Sequence, residues 1–127
     1  MIARLILLAA VLLACGQAGA QSAVIYSRVD AAQAQRAAQL ARAFGPVSID
    51  TALPPGTPWR TAIAAGICSS VLVLLLWSHH AAASTEVARE IAIAQTCRVP
   101  VLPVLLDSTP LPGDIGLVQA VDWRAPS

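Results

Sequence analysis

The stretch SVLVLLLW, residues 70–77, is an unbroken apolar run after its first serine. A strand with one wet face alternates polar and apolar side chains, and this run does not alternate. It is what a parallel strand needs when helices cover the sheet on both sides. A chain that contains such a strand must supply helices on either side of it in the sequence, and this one does.

The flanking segments alternate. SAVIYS (22–27) is a short β-rich run. DAAQAQRAAQLARAF (30–44) is rich in Ala, Gln and Arg, which favour helix, and places Ala34, Ala37, Ala41 and Phe44 at helical spacing. Asp30 can cap its start, and Gly45-Pro46 ends it. VSI (47–49) is a brief second strand. The Pro- and Gly-rich residues 50–58 form a loop, and 59–67 a short helix. After the apolar run, Ser84 can cap a helix over about 84–96. VPVLPVLLD (99–107) reads as a fourth strand and GLVQAVDW (116–123) holds a short fifth. Strand–helix alternation of this kind implies parallel strands joined by right-handed crossovers. The expected fold is a flavodoxin-like, three-layer α/β domain with a parallel sheet of about five strands, order 2-1-3-4-5. Pro103 lies inside the fourth strand, where it removes a ladder donor. That strand should therefore be poorly paired on one side there.

Residues 1–20 stand apart. Arg4 precedes an apolar run from Leu5 to Ala14, and AGA ends at Ala20, a small-x-small cleavage pattern. This is an export signal, too short to span a bilayer. LLAC, ending at Cys15, resembles a bacterial lipobox, so a lipid anchor at Cys15 is the alternative route, with an uncleaved anchor or a misplaced start as further alternatives. Residues 21–127 are the expected domain, periplasmic or secreted, or held at a membrane as a lipoprotein. The 127-residue chain is 57% hydrophobic and 12% charged with net charge +1, and its eight basic residues are scattered arginines. That composition excludes a disordered chain and one built to coat nucleic acid.

Four segments in order resemble the Toll/interleukin receptor (TIR) domain family, bacterial type. VIYSRVD is similar to its first-strand box. SIDTALPPGTPWRTAI resembles its second strand, acidic residue and Pro-Gly loop leading into a helix. VLVLLLWSHHAAASTEVAREI is similar to its third strand and following helix, and VPVLPVLLD with VDW resembles its closing strands. The resemblance runs from about residue 22 to 124. It implies a signalling or defence protein that takes NAD+ as a substrate, needs no other cofactor, and cleaves the nicotinamide–ribose bond. It implies that Glu90, at the end of an S-x5-E spacing from Ser84, is the catalytic residue. Loss of nicotinamide leaves an oxocarbenium-like ribose, and a nearby carboxylate stabilises that charge as glycosidase carboxylates do. The alternative is a non-catalytic TIR-type interaction module that binds other TIR domains and self-associates through its Pro/Gly loop and helices. A degenerate domain with structural content alone is a third. Glu86, where the family has a bulky residue, and the absence of a helix after the fifth strand favour the non-catalytic readings.

Ligands in open parallel sheets bind beyond the carboxyl ends of the strands. Ser27, Arg28, Trp59, Ser78 and Ser84 fall at or near that rim and are the candidate substrate-binding residues, with Arg28 able to neutralise a pyrophosphate charge. Each has an ordinary alternative: Arg28 as a solvent-facing cation, Trp59 as a packing anchor, Glu90 as a solvated helix residue paired with an arginine. Asp30 reads as a helix cap, and Trp77 and Trp123 as structural. Glu86, one turn before Glu90, can share its face and either tune it or spoil the pocket. His79 and His80 are adjacent and cannot converge on one ion, and no Cys/His pattern completes a set, so no metal is expected. There is no G-x-G-x-x-G, Walker loop or G-x-S-x-G elbow. The proline-stiffened residues 53–59 are expected to control ligand access and self-association.

Cys68 precedes the third strand and Cys97 the fourth. In the proposed order these strands are parallel neighbours, so both cysteines fall at the amino-terminal edge of the sheet at similar offsets. Neighbouring strands are roughly 4.8 Å apart and disulfide Cα separations are usually about 4.4–6.8 Å, so a Cys68–Cys97 bond is expected in an oxidising compartment. Two buried free thiols are the alternative.

Overall fold

A computed structural model describes residues 21–49, 58–113, 115 and 120–124. The proposed signal at 1–20, with its lipobox cysteine, and most of the 53–59 loop lie outside the described residues. The elements in chain order are strand β1 (Ser22–Ile25), a 3-10 turn (Arg28–Asp30), helix α1 (Ala31–Arg42), strand β2 (Val47–Ser48) and helix α2 (Trp59–Cys68). There follow strand β3 (Leu72–Trp77), a one-turn helix α3 (His79–Ala82), helix α4 (Thr85–Thr96), strand β4 (Val101–Leu105) and strand β5 (Val121–Asp122). The five strands form one sheet in the order β2-β1-β3-β4-β5, and every described pairing is parallel.

The apolar run is buried along its whole length and divides between two cores. Leu72, Leu74 and Leu76 meet Val24 and the α1 alanines Ala34, Ala37, Ala38 and Ala41 on one face. Val73, Leu75 and Trp77 meet Ile25, Ile67, Val87, Ile91 and Ala94 on the other. Side chains of a strand alternate between faces, so a run without polar alternation is the signature of this two-sided burial. The small α1 side chains let that helix lie close to the sheet.

Pro103 is accommodated as its chemistry requires. Just after β4 the N–H of Leu106 donates to Trp77 O in the β3 direction, and alternation then turns position 103 away from β3. On that other side β5 pairs only with Val104 and Leu105, so the missing donor meets no partner strand. The strand ends are shorter than the sequence suggested. β1 stops at Ile25, two residues before Ser27, and β2 and β5 have two residues each.

Helix α4 ends in a Schellman turn. The N–H of Val99 donates to Ala94 O across Arg98, whose φ is 59°. Left-handed backbone costs an L-residue about 1 kcal/mol or more, and glycine carries no such penalty. Arg98→Gly is therefore expected to raise stability by about 1 kcal/mol, read from a urea unfolding midpoint. An unchanged or lower midpoint would show that the arginine side chain compensates for its backbone.

Candidate functional site

Helix α4 carries its buried residues at Val87, Glu90, Ile91 and Ala94. That is the spacing of an apolar stripe facing a core, with a carboxylate inserted into it. Glu90 is 9% exposed, so the solvated-helix reading does not describe it. It lines a cleft with Ala23 and Val24 of β1, Ser48 and Ile49 at the end of β2, and Ala62, Ile63 and Ile67 of α2. The cleft lies between α2 and α4, under the short edge strand. Its volume of about 30 Å3 gives room for water but not for a ribose. Apart from Glu90 and Ser48 the named walls are aliphatic, an environment in which a carboxylate is strongly felt by a developing cation.

Helix α2 passes close to β2. A Cβ on Gly66 would fall 2.5 Å from Ser48 Oγ, so the helix passes the edge strand with the serine hydroxyl in the space that a larger residue would take.

The other candidate residues do not gather around Glu90. Ser84 caps α4, its Oγ accepting from the Val87 N–H at 3.2 Å. Glu90 lies six residues further along the helix, about 9 Å from that cap. Trp59 opens α2 at 39% exposure, with the Arg60 guanidinium 5.5 Å from its ring centroid. Arg28 is exposed, and the Ser27 carbonyl accepts from the Asp30 N–H at 2.8 Å in the 3-10 turn. Glu86 is half-exposed and faces the start of α2, where it pairs with Arg60 at 3.1 Å, and it also meets Arg89 at 3.4 Å. Exposed pairs of this kind contribute about 0–1 kcal/mol.

Asp30 is not the helix cap that its position suggested. It makes no side-chain capping bond to α1. It is buried at 6% exposure, and its carboxylate accepts a short hydrogen bond from Ser78 Oγ. Ser78 is itself buried, and its Oγ also accepts from the Ala81 N–H at 3.1 Å, capping α3. One hydroxyl thus joins the start of α1, the end of β3 and the start of α3. Ser78→Ala leaves a buried carboxylate without its donor and a helix without its cap. The expected loss is about 2–3 kcal/mol, measured by urea denaturation; a loss under about 0.5 kcal/mol, the scale of an ordinary surface change, would show that Asp30 finds another donor.

Next to it, Asp107 receives the His79 N–H at 2.9 Å, the His79 ring Nδ1 at 2.8 Å and the Thr109 N–H at 2.9 Å. Partial desolvation pushes its carboxyl up, but the hydrogen bonds from Thr109 and His79 outweigh this and hold it well below the usual carboxylate range. A depressed folded-state value means that the stabilisation is complete above the unfolded value, about pH 4, and is lost as pH falls through the folded one. Asp107→Asn is expected to flatten the decline in stability below about pH 4, measured as melting temperature against pH. An acid limb equal to that of the wild type would contradict this.

Trp77 is buried, its Nε1 donating to Pro110 O at 3.0 Å, and Trp123 packs against the α1 side of the sheet. Among the described residues no group of three or more His, Cys, Asp or Glu is placed to hold a metal ion. At the opposite edge of the sheet Cys68, the last residue of α2, is bonded to Cys97, the residue after α4, with Cα atoms 5.4 Å apart.

The family model described as "TIR domain" matches residues 23–127. The chain belongs to the TIR domain family. No curated protein sequence matches it. Among solved structures, this TIR domain is similar to the TIR domain of the Toll-related receptor TRR-2 from Hydra magnipapillata. The two share 16% identity at a TM-score of 0.68, over 80% of this chain and 82% of that one. Such a likeness concerns the fold: the parallel five-strand sheet with flanking helices is a TIR architecture. TIR domains serve as signalling or defence modules and generally interact with other TIR domains.

Proposed function

We propose that this TIR domain is an NAD+ glycohydrolase of the bacterial type whose catalytic residue is Glu90. The observation that carries the reading is a carboxylate at 9% exposure on the apolar stripe of α4, lining a cleft under the edge of the sheet. A buried carboxylate that packing alone would replace with an aliphatic residue is a functional candidate. Cleavage of the nicotinamide–ribose bond leaves positive charge on the ribose, and an aliphatic-walled site makes a nearby anion more effective against that charge than water would. Water then adds to the ribose, giving nicotinamide and ADP-ribose. The cleft must widen to take the ribose, so turnover is slow unless ligand binding or self-association moves α2. Ser27, Arg28 and Trp59 are the groups nearest the rim for the rest of the dinucleotide.

The reading keeps the domain exported, by a cleaved signal or with a lipid anchor at Cys15. The Cys68–Cys97 bond supports an oxidising compartment.

A second reading is a TIR module that acts by association with other TIR domains. The small cleft favours it, as do Ser78, Ser84 and Glu86, which are all engaged within the fold. Incubation of the concentrated protein with NAD+ separates the two. Nicotinamide release supports the enzyme. Concentration-dependent assembly without nicotinamide, read by sedimentation, supports the module.

A further inference from the structure

The walls of the Glu90 cleft are two helices joined covalently at one end. Helix α2 gives the cleft Ala62, Ile63 and Ile67, and α4 gives it Glu90. The helices meet at the amino-terminal edge of the sheet through Cys68 and Cys97, and at the other end through the Arg60–Glu86 ion pair. Only Ile67 of α2 is buried. The described polar ties of its last turn are the bonds from Gln21 Nε2 and Ser70 Oγ to Gly66 O, at 3.0 and 2.7 Å. Each is a modest interaction on its own. The helix that roofs the cleft therefore has little core of its own, and the disulfide is its one covalent hold on α4. Both cysteines are exposed, and Arg98 next to Cys97 is exposed as well. Exposed disulfides are open to attack by a thiolate, and nearby positive charge favours the departing thiolate.

The geometry points to a thiol–disulfide exchange site at Cys68–Cys97, reduced by a protein dithiol, whose reduction frees helix α2 over the cleft that holds Glu90. One thiolate of the dithiol attacks one sulfur of the pair, forming a mixed disulfide and expelling the other cysteine as a thiolate, which takes up a proton. The second thiol of the reductant attacks the mixed disulfide and releases the remaining cysteine. Two electrons and two protons pass to the domain, and the reductant leaves as a disulfide. Oxidised, α2 is held against α4 and the cleft is narrow. Reduced, α2 is the long helix with the fewest buried residues to keep it in place, one against four in α1 and four in α4, and the cleft widens. A consequence for NAD+ turnover rests on the function proposed above; the exchange and the loosening do not.

The test uses the full chain without NAD+. The protein is treated with dithiothreitol in the absence of denaturant, and hydrogen exchange is followed by mass spectrometry in peptides covering residues 59–68 and 72–77. Expected are reduction of the pair and exchange in 59–68 that accelerates at least tenfold more than exchange in 72–77, where protection falls only with the stability of the whole domain. A Cys68→Ser, Cys97→Ser double variant should match the reduced protein without any reductant. Three results would overturn the proposal: a bond that resists reduction until the domain is unfolded, exchange in 59–68 that does not change, or equal loss of protection in both segments. The last would make the bond a staple for the whole domain. Nicotinamide release measured in both redox states reads the other claim separately, because no turnover in either state removes the NAD+ reading and leaves the exchange result standing.

Discussion

Glu90→Gln is expected to reduce NAD+ cleavage at least a hundredfold while leaving the melting temperature within a few degrees of wild type. The amide keeps the shape of the side chain on the α4 stripe and removes the charge that opposes the developing oxocarbenium ion. Loss of one well-placed electrostatic group in a water-poor site costs about 10²–10³ in rate. Glu86→Gln is the matched control. Its carboxylate faces Arg60 and Arg89, so this change should alter turnover less than about threefold, the scale of one weak surface pair. Equal effects of the two substitutions would show that general negative charge on α4 matters and that Glu90 has no special place.

The second large effect is on stability. Replacing both Cys68 and Cys97 with alanine removes a cross-link between residues 29 apart. On the chain-entropy model this costs about 3–4 kcal/mol. For a domain of this size each kcal/mol is worth roughly 4–8 °C, so the melting temperature should fall by about 15 °C or more. Small domains have about 5–15 kcal/mol in total, so the variant should remain folded at room temperature. Thermal unfolding by circular dichroism measures this. A drop under about 3 °C would mean that α2 and α4 hold together without the bond and that its loss costs well under 1 kcal/mol.

Much of this architecture is legible in the sequence because burial leaves a periodic trace. The unbroken run at 72–77 marks a two-sided strand, alternation with helical segments implies a parallel sheet, and the order 2-1-3-4-5 is the proposal that puts this strand in the middle, as the structure has it. The same reasoning places the cysteines at one edge, since parallel neighbours with equal offsets bring them together. Glu90 is named by the family resemblance, through the S-x5-E match from Ser84, and its burial could also have been read from Val87, Ile91 and Ala94, which put position 90 on the core stripe. The single turn at 79–82 leaves no such trace, because four residues are too few to show a period, and only the Ser78 cap marks it. Asp30 departs from the local expectation for a different reason. Its position is that of a local cap, and the partner that wins is Ser78, 48 residues away. Of the rim serines, Ser84 is legible as a cap because a twelve-residue helix follows it, whereas the cap at Ser78 serves a single turn that leaves no period in the sequence.

In the proposed reaction the cleft beside Glu90 receives the ribose of NAD+. A structure of the protein with a non-hydrolysable NAD+ analogue tests it most directly. Expected are α2 displaced from the edge strand and the anomeric carbon within about 3–3.5 Å of a Glu90 carboxylate oxygen, the separation of a reactive contact. An analogue bound elsewhere, or a cleft that stays closed with the ligand at saturation, would contradict it.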